Sequence, residues 1–380
     1  MSPPQRLKAL TGHLVPITAP VAGGPEEGAA PLAGITVLEV ANWIAAPCCG
    51  AMMAAMGAEV IKVEPPFGDG MRYVLRQHGH DGRPQTRDEI GTFPDIHFNQ
   101  ENSSKKGIAV ALDMDEGQQV VHRLLEQADV MITNLLPDRL NRYSLDFETV
   151  HRINPSVVIA SVSSYGLEGP SADWPGFDVG ALFARGGHAS LHGTEKVLSR
   201  AGYGDHCAGL SILSATLGAL MMRQQTGKGT VVSTSLLRLS QWMIASDMAP
   251  ALNDGMQPTS AMDALQVPEG GLPDGLPVSS GTYRTADDRW IRLTGATKMP
   301  ALLKGIGLEE LLSDPRYAGG RMDPDVKAEL TERIQAAFAT RTLEEWKQSG
   351  DLDATFYRCE AVVFLTISFP YYERNKHTES

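Results

Sequence analysis

The chain has 380 residues, 42% of them hydrophobic and 21% charged, enough for a sizeable core in two domains or in one large domain with an insertion. A formal net charge of −12 argues against a nucleic-acid partner or an anionic membrane surface, while leaving room for a local basic pocket. Four cysteines, with Cys48 and Cys49 adjacent and Cys207 and Cys359 isolated, make neither a disulfide framework nor a zinc-ligand spacing, so a cytoplasmic chain with no metal is expected.

Residues 1–30 carry Pro3-Pro4, Gly23-Gly24-Pro25 and the acidic pair Glu26-Glu27, with no apolar h-region. They are expected to be a disordered extension and not a signal peptide. No run approaches the ~20 apolar residues of a membrane span. From Pro31 onward short strands and helices alternate. Ile35–Val40, Glu59–Glu64, Val130–Asn134 and Val157–Val162 read as strands; Cys48–Met56, Glu116–Gln127 and Asp146–Arg152 read as helices. Strands repeating between helices predict βαβ units, hence a Rossmann-like α/β large domain with a parallel sheet over residues 31–265. The polar stretch between Arg72 and Lys106 is expected to loop over the surface.

In such a sheet, ligand groups lie in the loops at the carboxyl ends of the strands. The loop after the first strand, Ala41-Asn42-Trp43-Ile44-Ala45-Ala46-Pro47, has no GxGxxG, so a dinucleotide fingerprint is absent. Its small residues suit either ligand approach to a helix start or tight strand–helix packing. Farther on, Gly204-Asp205-His206-Cys207-Ala208-Gly209 leads into a buried helix spanning Ala208–Met222. Asp205 can be read as the cap of that helix, or as a carboxylate short of water among backbone N–H groups and thus a nucleophile.

Thr226-Gly227-Lys228-Gly229 ends the long helix, and apolar character resumes over Val231–Leu237. A Pro/Gly linker is expected at 266–281, then a smaller α+β domain at 282–349. In the latter, Thr282–Arg284 and Trp290–Leu293 flank Ala286-Asp287-Asp288 as a hairpin. Helices are expected at Met299–Ile306, Asp325–Ala339 and Thr342–Gln348, the last opened by a Thr342/Glu345 capping box.

Five segments, Pro31-Leu32-Ala33-Gly34-Ile35, Gly57-Ala58-Glu59-Val60-Ile61-Lys62-Val63-Glu64, Pro175-Gly176-Phe177-Asp178, Gly204-Asp205 with Gly209, and Thr226-Gly227-Lys228-Gly229, stand in one order. Together they resemble the family III CoA-transferases, the group containing formyl-CoA transferase, carnitine CoA-transferase and the racemase acting on 2-methylacyl-CoA. Within it, Ala41–Ala45, Gly68–Tyr73 and Ala184–Gly187 look most like transferases of aryl-lactates and 2-hydroxyacids. The resemblance implies an acyl-CoA donor, a carboxylic acid acceptor, coenzyme A thioester as substrate with no permanently bound cofactor, and an interlocked ring homodimer.

The family's catalytic aspartate falls on Asp205, and its CoA-contacting positions fall on Asn42, Ile44, Ala45, Leu112, Asn134, Leu135 and Arg142. Ile44 replaces the amide of formyl-CoA transferase, which points to a larger, more apolar acid than oxalate. The racemase's base position holds Phe177, which cannot take a proton. His188, His192 or His206 would have to substitute, so transfer is favoured over racemisation. The tail at 350–380, with its apolar run Ala361–Leu365, departs from the family pattern; an inactive acyl-CoA-binding paralogue is the alternative it leaves open.

Overall fold

A computed structural model describes residues 30–73, 96–191, 202–255, 282–293, 299–317, 323–349 and 357–359. Residues 1–29, the middle of the polar insertion (74–95), His192, the linker at 266–281 and the apolar run at 361–365 lie outside them. The chain divides into two units, Met1–Ser246 with Thr366–Ser380, and Asp247–Leu365.

The first unit is built on a six-stranded sheet: β1 (Thr36–Val40), β2 (Glu59–Glu64), β3 (Lys106–Ala109), β4 (Val130–Thr133), β5 (Val158–Ser163) and β6 (Val231–Ser235). All neighbours run parallel in the order β3-β2-β1-β4-β5-β6. That order reverses between β1 and β4, which opens a crevice beyond their carboxyl ends. The central strand β4 is buried throughout, as a parallel strand covered on both faces should be. The edge strand β3 is mostly exposed and half polar, so hydropathy gave no signal for it.

The helices of this unit include α1 (Ala45–Ala55), α2 (Ile96–Asn102), α3 (Asp115–Leu125), α4 (Pro137–Arg142), α5 (Phe147–Ile153), α6 (Tyr203–Thr226) and α7 (Leu236–Met243). The polar insertion is thus not wholly loop: α2 ends it, with Phe98 buried and the Arg72 guanidinium 3.6 Å from the Phe98 ring centroid. Helix α5 starts one residue later than expected, because Asp146 caps it by accepting from the Thr149 N–H at 2.9 Å, worth about 1 kcal/mol.

Helices α1 and α6 pack directly on each other. Small residues make the approach possible: a Cβ on Gly209 would stand 2.8 Å from Cys48 Cβ and 3.0 Å from the Ala45 carbonyl oxygen. By length and composition α6 could cross a bilayer. Here it is a core helix, with Ala208, Ile212, Leu213, Ala219 and Leu220 buried against α1 and the sheet. It also begins earlier than expected. Gly202, at φ 77°, is the residue before the first turn, a left-handed conformation that favours glycine. Asp205 therefore lies inside the first turn and makes no capping hydrogen bond.

In the second unit, β7 (Thr282–Arg284) and β8 (Trp290–Arg292) form the expected antiparallel hairpin, and β9 (Tyr357–Cys359) pairs with β8. Helices at Met299–Gly305, Pro324–Phe338 and Leu343–Ser349 contribute to a core of Tyr283, Ile291, Leu302, Leu330, Phe338 and Trp346. The capping box is present: the Glu345 N–H donates to Thr342 Oγ1 at 3.2 Å, and the Thr342 N–H donates to Glu345 Oε2 at 2.7 Å.

Candidate active site

At the switch point, the loops after β1 and β4 are clipped together by one side chain. The Asn42 N–H donates to Asn134 Oδ1 at 3.0 Å, and Asn134 Nδ2 donates to the Asn42 carbonyl at 2.7 Å. Against this clip lies a cavity of about 240 Å³. The β1 loop and the start of α1 supply Asn42, Trp43 and Ala45; the β4 loop and α4 supply Asn134, Leu135, Leu136 and Arg139. The end of β5 and the segment after it supply Ser163, Ser164, Gly176 and Phe177. Asp205 reaches in from α6.

The β1 loop is held by buried charge. Trp43 sits at φ 67°, a conformation that costs a bulky residue about 1–3 kcal/mol unless its surroundings impose it. Its N–H donates to Asp69 Oδ1 at 3.1 Å. Asp69 Oδ2 pairs with Lys62 Nζ at 2.9 Å, and Lys62 also pairs with Glu39 at 3.0 Å. Lys105 closes the group on Glu39 at 2.6 Å and donates to the Pro47 carbonyl of α1 at 2.8 Å. Burial alone would lower the Lys62 pKa, but Glu39 and Asp69 outweigh it and leave it raised. For Lys105 burial prevails over Glu39, and its pKa is lowered.

The Trp43 side chain lies over Gly70, where a Cβ would come within 2.9 Å of the ring. It meets Phe177 edge-on with centroids 5.4 Å apart. Both rings line the cavity while remaining 39% and 56% exposed.

Asp205 is only 9% exposed and, among the described residues, its carboxylate accepts no hydrogen bond. Burial pushes its pKa up to about 7, with the Asp178 and Glu101 carboxylates adding to the shift and His206 opposing it. Asp178 is held by the Gly204 N–H, which donates to its Oδ2 at 3.0 Å. The result is a carboxylate with little solvation, facing a cavity: it is ionisable near neutral pH and more basic than an ordinary aspartate.

Beside it, His206 Nδ1 lies 2.6 Å from the Gly202 carbonyl oxygen and Nε2 lies 2.7 Å from Glu101 Oε1. The hydrogen bond to Glu101 comes first among the causes that raise the His206 pKa. Cys48 lies next to Glu101, and burial, reinforced by the Glu101 charge, drives its thiol pKa far up. Donor atoms of Cys48, Glu101 and His206 lie within 4.8 Å of one another, but they are engaged with each other.

Of the positions singled out in the sequence, Asp205, Asn42, Ala45, Asn134 and Leu135 come together at this cavity. Ile44 is the residue preceding α1, adjacent to the cavity residues Trp43 and Ala45. Leu112 and Arg142 meet one another elsewhere, where Gln118 Nε2 donates to both of their carbonyls at 3.0 and 3.2 Å. The arginine at the cavity is Arg139, one turn earlier on α4. Sequence reasoning also missed Trp43, Asp178 and Glu101. An (i, i+3) check along α4 could have flagged Arg139; Glu101 is distant in sequence from Asp205 and gave no such signal.

The description of CoA-transferase family III matches residues 32–354. The chain is 33% identical over 321 residues to the (R)-2-hydroxy-4-methylpentanoate CoA-transferase of Clostridioides difficile, covering 83% of this chain and 76% of that one. It is 32% identical over 326 residues to the cinnamoyl-CoA:phenyllactate CoA-transferase of Clostridium sporogenes, covering 82% and 74%. The crystal structure of Rv3272 from M. tuberculosis superposes with a TM-score of 0.70 at 26% identity, covering 90% of this chain and 86% of that one.

Proposed function

This chain belongs to family III of the CoA-transferases, and from that premise we propose that it moves CoA between an acyl-CoA and a carboxylic acid through covalent intermediates on Asp205. The observation that carries this reading is a nearly unsolvated carboxylate in the wall of the switch-point cavity, with a pKa raised by burial to about 7. Partial desolvation makes such a carboxylate a better nucleophile than one in water.

In the proposed sequence an Asp205 oxygen attacks the thioester carbonyl, the C–S bond breaks, and CoA leaves as thiolate from a mixed anhydride. The thiolate then attacks the aspartyl carbonyl of that anhydride, releasing the donor acid and forming an aspartyl-CoA thioester. The acceptor carboxylate attacks this thioester and expels CoA thiolate again. Attack of the thiolate on the acceptor carbonyl of the second anhydride yields acceptor-CoA and restores Asp205. No proton is gained or lost over the cycle.

Asn42, Ala45, Asn134, Leu135 and Arg139 would hold the CoA thioester, with Arg139 offering a planar cation suited to phosphate oxygens; Ile44 and Leu112 remain in the proposal on the family resemblance alone, as does the homodimer, while Arg139, which lines the cavity, is put forward for the phosphate contact that the resemblance gives to Arg142. The Trp43–Phe177 pair suits an apolar acyl group, branched or aryl. The names of the relatives, which act on 2-hydroxy-4-methylpentanoate and on cinnamoyl and phenyllactyl groups, support a 2-hydroxyacid acceptor. Phe177 has no group to exchange a proton at the α-carbon, which supports transfer over racemisation. The test is a panel of acyl-CoA donors against aryl-lactates, branched 2-hydroxyacids, cinnamates, succinate and oxalate. The proposal expects turnover with the first three groups; turnover confined to oxalate, or α-proton exchange without any acceptor acid, would overturn it.

A further inference from the structure

The proposed chemistry needs Asp205 as an anion, yet two other carboxylates, Asp178 and Glu101, act on it in a site short of water. The cation that offsets them is its sequence neighbour. The Gly202 carbonyl can only accept, so the short 2.6 Å contact requires a proton on His206 Nδ1; the 2.7 Å contact with the Glu101 carboxylate places a second proton on Nε2. The Gln100 amide approaches the same nitrogen only at 3.3 Å. With both ring nitrogens donating, the ring is an imidazolium. Glu101 is itself buried, so the ring is held from α2 as well as from its own helix.

We propose that His206, fixed as an imidazolium between Gly202 and Glu101, is the positioning residue that keeps the buried Asp205 carboxylate ionised for attack. The proposal rests on the reading of Asp205 as nucleophile. Among the described residues, the titratable groups around this cluster are Asp178 from the segment before the π-helical turn at Val179–Ala184, Glu101 from α2 and Cys48 from α1. The Lys105 cation, the other positive charge near Glu101, is tied to Glu39 at 2.6 Å. Among these described groups, His206 is the one cation acting on Asp205. A histidine with a purely structural part in the first turn of α6 would hold the chain equally well when neutral.

Two measurements test this on the full-length protein. Nitrogen-15 NMR of the wild type labelled at histidine, with the His206 signal assigned from its loss in His206→Asn, should show both ring nitrogens protonated at pH 7.5; a neutral tautomer there overturns the proposal. The pH dependence of kcat/KM in His206→Asn should show the acid limb moved up by about one pH unit, an approximately tenfold loss on that limb that is regained at higher pH, with a smaller upward move in Glu101→Gln, where loss of the imidazolium is partly offset by loss of the Glu101 charge. Superimposable profiles overturn it. Should the wild type transfer CoA between no donor and acceptor, the transferase reading falls, while the NMR result still decides the state of His206.

Discussion

The Gly204 N–H donates to Asp178 Oδ2 at 3.0 Å, which anchors a second carboxylate on the residue immediately before Asp205. Asp178 is itself buried, and it ranks after burial among the causes that hold the Asp205 pKa near 7. Activity that depends on ionised Asp205 should therefore fall away below about pH 7. Asp178→Asn keeps an oxygen to accept from Gly204 while removing the charge. Its kcat/KM profile should retain activity to lower pH than the wild type.

Stability should carry the opposite mark. Below the unfolded pKa of 3.8, Asp205 is protonated in both states and contributes nothing to the pH dependence. Between 3.8 and about 7 the unfolded chain loses the proton while the folded one keeps it, so stability declines with rising pH; above about 7 the penalty is complete. Asp205→Asn removes that penalty. It should raise the melting temperature at pH 8 and leave it nearly unchanged at pH 4, with the difference opening across that window, as read by calorimetry. The same variant should lose several orders of magnitude in kcat, as removal of a nucleophile does.

Two arginines one turn apart on α4 offer a clean contrast. Arg139 lines the cavity, whereas the Arg142 carbonyl is tied to Gln118 outside it. Arg139→Ala should raise KM for the acyl-CoA about tenfold or more, the loss of one charge-assisted contact of roughly 1.5–3 kcal/mol. Arg142→Ala should change it less than threefold. Equal effects would place the phosphate contact elsewhere than at the cavity.

The buried ion group behind the β1 loop should be expensive to break. Lys62→Met leaves Glu39 and Asp69 facing each other with one cation removed, at a cost on the order of 3–5 kcal/mol. Denaturant unfolding measures it. Because Asp69 also holds the Trp43 N–H, the variant that remains folded should bind acyl-CoA more weakly.

Much of this fold was legible in the sequence. The β-branched runs of β1, β2, β4 and β5 and the helices between them gave the parallel sheet, and the capping box gave the start of the helix at Leu343. What escaped had weak local signals. Strand β3, Lys106-Gly107-Ile108-Ala109, lies at the sheet edge with little apolar content, and α2 sat inside a polar insertion. Within the site, the aspartate and the Asn42 and Asn134 loops could be named from motif resemblance. The partners Glu101, Asp178 and Lys62 could not, because their relation to the site is created by packing across 105, 26 or 23 positions of sequence, and a single chain carries no mark of such pairings.

The central claim is that Asp205 becomes acylated during turnover. The direct measurement is peptide mass spectrometry of the enzyme quenched after mixing with an accepted acyl-CoA and hydroxylamine. The account predicts a hydroxamate on the peptide carrying Asp205, absent from Asp205→Asn treated in the same way. Full CoA transfer by an enzyme whose Asp205 peptide stays unmodified would contradict it.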